Sequence, residues 1–337
     1  EAQLFIGLGL HDAGLGLAQG GQHFLNIVAD ARYDTETGHD DAGVVVDLAL
    51  AVGFGSRSSN DALGDVYAAD VENFTGTSFA DTFYGRAAAE NIDAGGGNDT
   101  VYASQGADTI NGGIGTDTMD YSLSAAAINV NLSDALAESG GDAAGDMLSN
   151  FEIIIGSANA DTITADNTGM TLKGLAGNDT LTGGLGADTL ESGSGTDSLS
   201  GGAGNDRLDF AANNADTNMN GDVANGGADN DVIAINYAKW AGGATGMLLD
   251  GGAGTSDTLE LQMTGTSTLN LATFTTNQAQ FQNFEVLDLS KDTAKTTIQL
   301  SSAGIQNLVD AGNGSVLTLK LGSAAGDVYQ IAAGEFA

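Results

Sequence analysis

The 337-residue chain has no cysteine, no proline, one tryptophan, three histidines and only nine basic residues against 45 acidic ones. Without cysteine there can be no disulfide scaffold, zinc-thiolate site or thiol nucleophile. No run approaches the ~18–20 apolar residues needed to span a bilayer, which argues against membrane insertion. A formal net charge of −36 repels phosphate backbones, so nucleic acid is not an expected partner. Catalytic signatures are missing as well. His11, His23 and His39 form no H-E-x-x-H, and there is no G-x-S-x-G elbow and no phosphate-binding glycine loop. Paired carboxylates are abundant enough that counting alone does not dispose of a glycosidase dyad. Trp240 and Tyr237 beside Lys239 suit either a carbohydrate-stacking patch or the cover of a domain end. The chain is expected not to be an enzyme.

The acids are 35 Asp and ten Glu, and the chain has 51 glycines. Short carboxylates beside glycine offer oxygen ligands on tight turns, as a hard cation such as calcium requires. A very soluble acidic surface would share that composition, and spacing separates the two. From Gly76 the chain reads in nines: GTSFADTFY, GRAAAENID, AGGGNDTVY, ASQGADTIN, GGIGTDTMD. From Gly156 it does so again: GSANADTIT, ADNTGMTLK, GLAGNDTLT, GGLGADTLE, SGSGTDSLS, GGAGNDRLD. The sixth position is Asp81, Glu90, Asp99, Asp108 and Asp117, then Asp161, Met170, Asp179, Asp188, Asp197 and Asp206. The eighth is apolar in all eleven units, from Phe83 to Leu208. Further copies start at Gly226 (sixth position Asp231) and at Gly251 (with an insertion, Asp257).

The physical reading is an all-β parallel β-roll, a β-solenoid. Six residues make a glycine-rich turn with inward carbonyls, and three make a strand such as Thr180-Leu181-Thr182 with one apolar side chain inside. Successive strands lie on opposite sides, so two units form a coil of 18 residues. A core one side chain thick per strand buries little, which makes folding depend on bound metal.

The nonapeptide G-G-x-G-x-D-x-U-x resembles the repeats-in-toxin (RTX, hemolysin-type) family of calcium-binding secreted proteins. The resemblance implies calcium between same-edge turns one coil apart, bound by position-six carboxylates and early-turn carbonyls. It assigns carboxylates Asp81, Asp99, Asp108, Asp117, Asp161, Asp179, Asp188, Asp197, Asp206 and Asp231. The carbonyls are those of Ala94, Gly96, Gly112, Ile114, Gly174, Ala176, Gly183, Leu185, Ser192, Ser194, Gly201 and Ala203. Glu90 and Asp257 sit in departing turns and are weaker candidates. Met170 offers only half a site opposite Asp188.

A longer period overlies the nines: Glu72, Gly76 and Asp81 match Glu152, Gly156 and Asp161, each offset by 80. Each module reads as an alternating strand, an acidic loop, a strand near N-F or N-F-E, and a roll. A third N-F-E occurs at Asn283-Phe284-Glu285. Asp65, Asp70, Asp142 and Asp146 are either further ion ligands where a roll begins or solvated loop acids. The expected organisation is a cap or assembly segment at 1–43, modules at 44–122 and 123–234, and a β-rich solenoid-like region at 235–337. In the last region TLELQM, STLNLATF, FQNFEVLDLS, TTIQLS, SVLTLKLG and DVYQI read as strands, while SSAGIQNLV reads as a helical turn or a loop. Near the start, Leu4–Leu10 and Phe24–Val28 read as strands that either cover the first coil or pair with a neighbouring molecule.

By resemblance the expected function is a secreted, calcium-dependent structural protein of a Gram-negative cell surface: a surface layer (S-layer), filament or adhesin component. It would be exported after removal of a leader or through type I secretion, and would fold and self-assemble outside the cell. Its partners would be further copies of itself and, as an adhesin, cell-surface polysaccharide. The alternatives are the repeat portion of a secreted hydrolase or polysaccharide epimerase, or a host-binding module.

Overall fold

The computed structural model describes residues 26–28, 45–47, 73–211, 219–236, 246–262, 267–270, 281–291, 296–300, 317–321 and 328–331. The described residues contain no α-helix; the one short helical segment is a 3-10 turn at Gly141–Ala143. No described helix is long and apolar enough to cross a membrane. The chain divides into two compact units, Glu1–Asn159 and Ala160–Ala337.

In the first unit two parallel sheets alternate along the chain. One stacks Asn26–Val28, Asn73–Thr75, Asn91–Asp93, Thr109–Asn111 and Met147–Ser149. The other stacks Val45–Asp47, Thr82–Tyr84, Thr100–Tyr102, Thr118–Asp120 and Ile153–Ile155. Thr82 pairs with Thr100 and Thr100 with Thr118, the 18-residue register of the sequence. Asn26–Val28 pairs in parallel with Asn73–Thr75, so this part of the N-terminal segment extends the stack.

The second unit follows the same plan. Thr162–Thr164, Thr180–Thr182, Ser198–Ala203, Val223–Ala228, Leu248–Asp250 and Phe281–Gln282 form one stack. Thr171–Lys173, Thr189–Glu191, Arg207–Asp209, Val232–Asn236, Thr258–Gln262, Val286–Asp288 and Thr318–Lys320 form the other. Past residue 209 the coil grows: Arg207 pairs with Val232, Thr258 with Val286, and Val286 with Thr318. A third parallel stack, Ser267–Asn270, Thr296–Leu300 and Val328–Ile331, takes up the added length. All six segments of the C-terminal region read as β thus contain a strand. Residues 301–316, with the undecided helical turn, lie outside the described residues, as do Leu4–Leu10, the three histidines, Tyr237, Lys239 and Trp240.

The core is a single file of side chains between the sheets. Strand alternation buries the middle residue of each three-residue strand, and all eleven position-eight residues are at most 3% exposed. Each stabilises the stack by ~1.5–3 kcal/mol. On the outer faces, like residues meet across coils: Tyr84 and Tyr102 stack with ring centroids 4.5 Å apart. Lys173 Nζ lies 3.0 Å from Glu191 Oε2, and Arg207 bridges Asp209 and Glu260.

Candidate metal centres

The turns join the sheets along edges, and each edge carries a carboxylate ladder. Along each ladder one carboxylate oxygen of a rung accepts the backbone N–H of the position-six residue one coil before it. In the first unit Asp99 Oδ1 accepts from Asp81 N at 2.7 Å, and Asp117 Oδ1 from Asp99 N at 2.8 Å. On the opposite edge Asp108 Oδ1 accepts from Glu90 N at 2.8 Å. In the second unit Asp179 accepts from Asp161 N and Asp197 from Asp179 N. On its other edge Asp188 accepts from Met170 N, Asp206 from Asp188 N and Asp231 from Asp206 N, all within 2.7–2.8 Å. The same-edge pairs expected from the 18-residue spacing are therefore brought together.

The ladders run past the nonapeptides. Asp257 Oδ1 accepts from Asp231 N, Asp222 Oδ1 from Asp197 N, Asp146 Oδ1 from Asp108 N, Glu152 Oε2 from Asp117 N and Glu285 Oε2 from Asp257 N. Asp222, Glu152 and Glu285 were not singled out as site residues from the sequence. A signal was present: acid-x-apolar-x followed by glycine, as in Asp179–Gly183, recurs at Asp222–Gly226 and Glu152–Gly156. The irregular spacing hid it.

With one oxygen spent on the ladder, the second decides what the turn can bind. Asp99, Asp117, Asp179, Asp206 and Asp231 are at most 2% exposed, and the Oδ2 of each has no hydrogen-bond partner. A buried carboxylate oxygen with nothing to accept is costly unless a cation meets it. In each of these turns but that of Asp99, whose position one is Ala94, glycine at position one makes room beside that oxygen. A Cβ on Gly174 would lie 2.5 Å from both Asp179 Oδ2 and the carbonyl oxygen of Ser192. The same pairing of carboxylate with next-turn carbonyl surrounds Gly201 (Asp206, Gly226), Gly226 (Asp231, Gly251) and Gly183 (Asp188, Gly201), although Asp188 Oδ2 already accepts Gly184 N–H at 2.8 Å. Position-one glycines thus serve by absence of bulk. The left-handed backbone belongs to positions two and four, as at Gly193 (φ 96) and Gly195 (φ 147). Leu175 (φ 72) and Asp229 (φ 76) adopt it without glycine.

A carboxylate oxygen and a next-turn carbonyl around a glycine form an all-oxygen donor set that fits calcium. Among the described residues no three acidic or imidazole side chains converge on one point, so the backbone must supply the remaining ligands. The carbonyls of Ala94, Ser192 and Gly201 point into such places. Those of Ile114 and Ser194 accept inter-turn N–H groups from Gly97 and Gly177, which uses one of their two lone pairs. Gly96 and Ala176 form the matching bridges to Ile114 and Ser194. Gly112 adjoins Asp117, while Leu185 carries an exposed side chain and Ala203 is part of a strand.

Burial pushes the carboxyls of Asp99, Asp179, Asp231 and Asp257 up to about 7 and that of Asp206 to about 6. Neighbouring rungs add to the effect: Asp81 and Asp117 for Asp99, Asp197 and Asp161 for Asp179. Asp117 is raised by burial and then by the charge of Glu152, and Asp188 by burial.

Other turns satisfy their acids with protein groups. Thr77 donates its N–H and hydroxyl to Asp81. Glu90 holds Arg86, Nε to Oε1 at 2.8 Å, with the Glu90 side chain buried and Arg86 partly so. At Met170 the thioether accepts the N–H of Asp166. The second oxygen of Asp146 accepts the Tyr121 hydroxyl at 3.1 Å, and that of Asp257 accepts Gly254 N–H. Asp142 lies in the 3-10 turn, off the ladder. Asp65 and Asp70 lie outside the described residues.

Comparison with known protein families matches four copies of the RTX calcium-binding nonapeptide repeat, over residues 69–101, 84–119 and 171–199. The matched residues contain the rungs Asp81, Glu90, Asp99, Asp108 and Asp117 in the first unit and Asp179, Asp188 and Asp197 in the second. A comparison with curated proteins finds no match.

Proposed function

Starting from a chain that carries RTX calcium-binding nonapeptide repeats on a parallel β-roll, we propose a secreted, non-catalytic structural protein that folds on several calcium ions and then assembles with copies of itself at a cell surface. The observation that carries this reading is the row of buried, unpartnered carboxylate oxygens at Asp99, Asp117, Asp179, Asp206 and Asp231. These groups repel one another in a chain of net charge −36, and oxygen-seeking divalent ions answer both problems at once. Cytosolic free calcium is too low to fill such turns, so the chain stays exportable. Outside, about millimolar calcium drives folding by linkage. Acid left over after the turns are filled, together with exposed apolar turn residues such as Ile114 and Leu185, suits contacts between copies. The test is electron microscopy of the purified chain with calcium and with chelator. Ordered polymers in calcium alone are the expected result. A monomer in both conditions would remove the assembly role, and a monomer that binds glycans would replace it with an adhesive one.

A further inference from the structure

Three N-F or N-F-E segments stand out in the sequence, and the roll alone does not account for them. All three lie among the described residues; Asn73-Phe74 falls inside the strand Asn73–Thr75, and the two N-F-E copies share one geometry. Asn150 and Asn283 are both left-handed, with φ 55 and 58. Phe151 and Phe284 are buried. Glu152 and Glu285 accept the N–H of the last aspartate below them, Asp117 and Asp257. The carbonyl oxygens of Asn150 and Asn283 reach the Cβ places of Gly112 and Gly251, where a nonapeptide turn puts its position-one carbonyl. Ile153–Ile155 and Val286–Asp288 then supply the strands, with Ile154 and Leu287 fully buried at the apolar position. Three residues therefore do the work of six: Asn stands at position one, Glu at position six, and one buried Phe replaces the four residues between.

The copies differ at the acid below. Asp257 has both oxygens engaged, by Asp231 N–H and Gly254 N–H. Asp117 is fully buried, spends Oδ1 on Asp99 N–H, and leaves Oδ2 unpartnered 3.1 Å from the Cβ place of Gly112, beside the Asn150 carbonyl. We infer that Asn150-Phe151-Glu152, which lies outside the residues matched by the repeat family, completes a divalent-cation site with Asp117, using the Asn150 carbonyl and the carboxylates of Glu152 and Asp117. Asn283-Phe284-Glu285 has the same backbone form and ends its ladder without such a site.

The inference rests on calcium binding by the regular turns, and the test separates the two. Glu152→Gln keeps an oxygen to accept Asp117 N–H and removes the charge; Glu285→Gln makes the same change at the other copy. Bound calcium per full-length chain is counted by equilibrium dialysis and elemental analysis, and folding is followed by circular dichroism. The expected result is the loss of one calcium per chain in Glu152→Gln, with folding restored by excess calcium, and no loss in Glu285→Gln. Unchanged ion counts in both variants overturn the site, as does a Glu152→Gln chain that no calcium concentration refolds, which would leave Glu152 a rung only. A wild-type chain that binds no calcium would instead overturn the function proposed above.

Discussion

At Asp99, Asp117, Asp179, Asp206 and Asp231 the carboxylate has two tasks, one per oxygen. The ladder bond to the neighbouring N–H fixes the carboxylate, and the free oxygen turns a structural acid into a ligand. Without metal the free oxygen makes these groups hold protons: burial, then the Asp197 and Asp161 charges, raise Asp179 to about 7 from an ordinary 3.8. The sign follows. A carboxyl whose folded value is raised favours the folded state when protonated, so its contribution is present below about pH 4 and is lost as pH rises through about 7. Calcium-free protein is therefore expected to gain sheet content on acidification from pH 8 to pH 5. Sheet content that stays flat, or falls, over that range in chelator would contradict the reading of these groups.

At the scale of one turn, the degenerate repeats show that a coil closes in more than one way. Arg86 brings its own cation to Glu90, where Asp99 in the next turn leaves an oxygen open. Breaking a buried pair by deleting one partner costs about 3–5 kcal/mol. Arg86→Ala should thus lower the thermal midpoint in saturating calcium and raise the calcium needed for half-folding; an unchanged midpoint would mean the pair contributes nothing. The regular elements were legible because their determinants are local. Thr180-Leu181-Thr182 alternates, Gly183 and Gly184 follow, and the strand falls at Thr180–Thr182. The ladder beyond the nines was not legible. Asp222 and Glu152 reach their rungs across 25 and 35 residues of intervening chain, so no fixed period marks them. Nor could spacing tell which acids are already satisfied. In the sequence Asp117 reads as a ligand and Asp146 as either a ligand or a loop acid; the structure separates them, with Tyr121 donating to the second oxygen of Asp146 and that of Asp117 left open. The position-one glycines were recognised, but as sources of backbone freedom; their use as space beside a carboxylate depends on the coil above.

Across the molecule, cohesion comes from a thin file of apolar side chains, and charge opposes it. Four of the described basic residues, Arg86, Lys173, Arg207 and Lys320, already meet carboxylates. That leaves the acids on the turns with no protein counter-charge of comparable number, and a parallel stack this narrow has little burial with which to offset their repulsion. Divalent ions held in the turns are the account's answer, and far-ultraviolet circular dichroism of the full chain at neutral pH, with calcium and then with EDTA in excess, tests it most directly. The account predicts a cooperative, sheet-rich fold in calcium that collapses to a largely unstructured spectrum in EDTA and returns when calcium is restored. The same sheet signal and the same melting temperature in both conditions would contradict it.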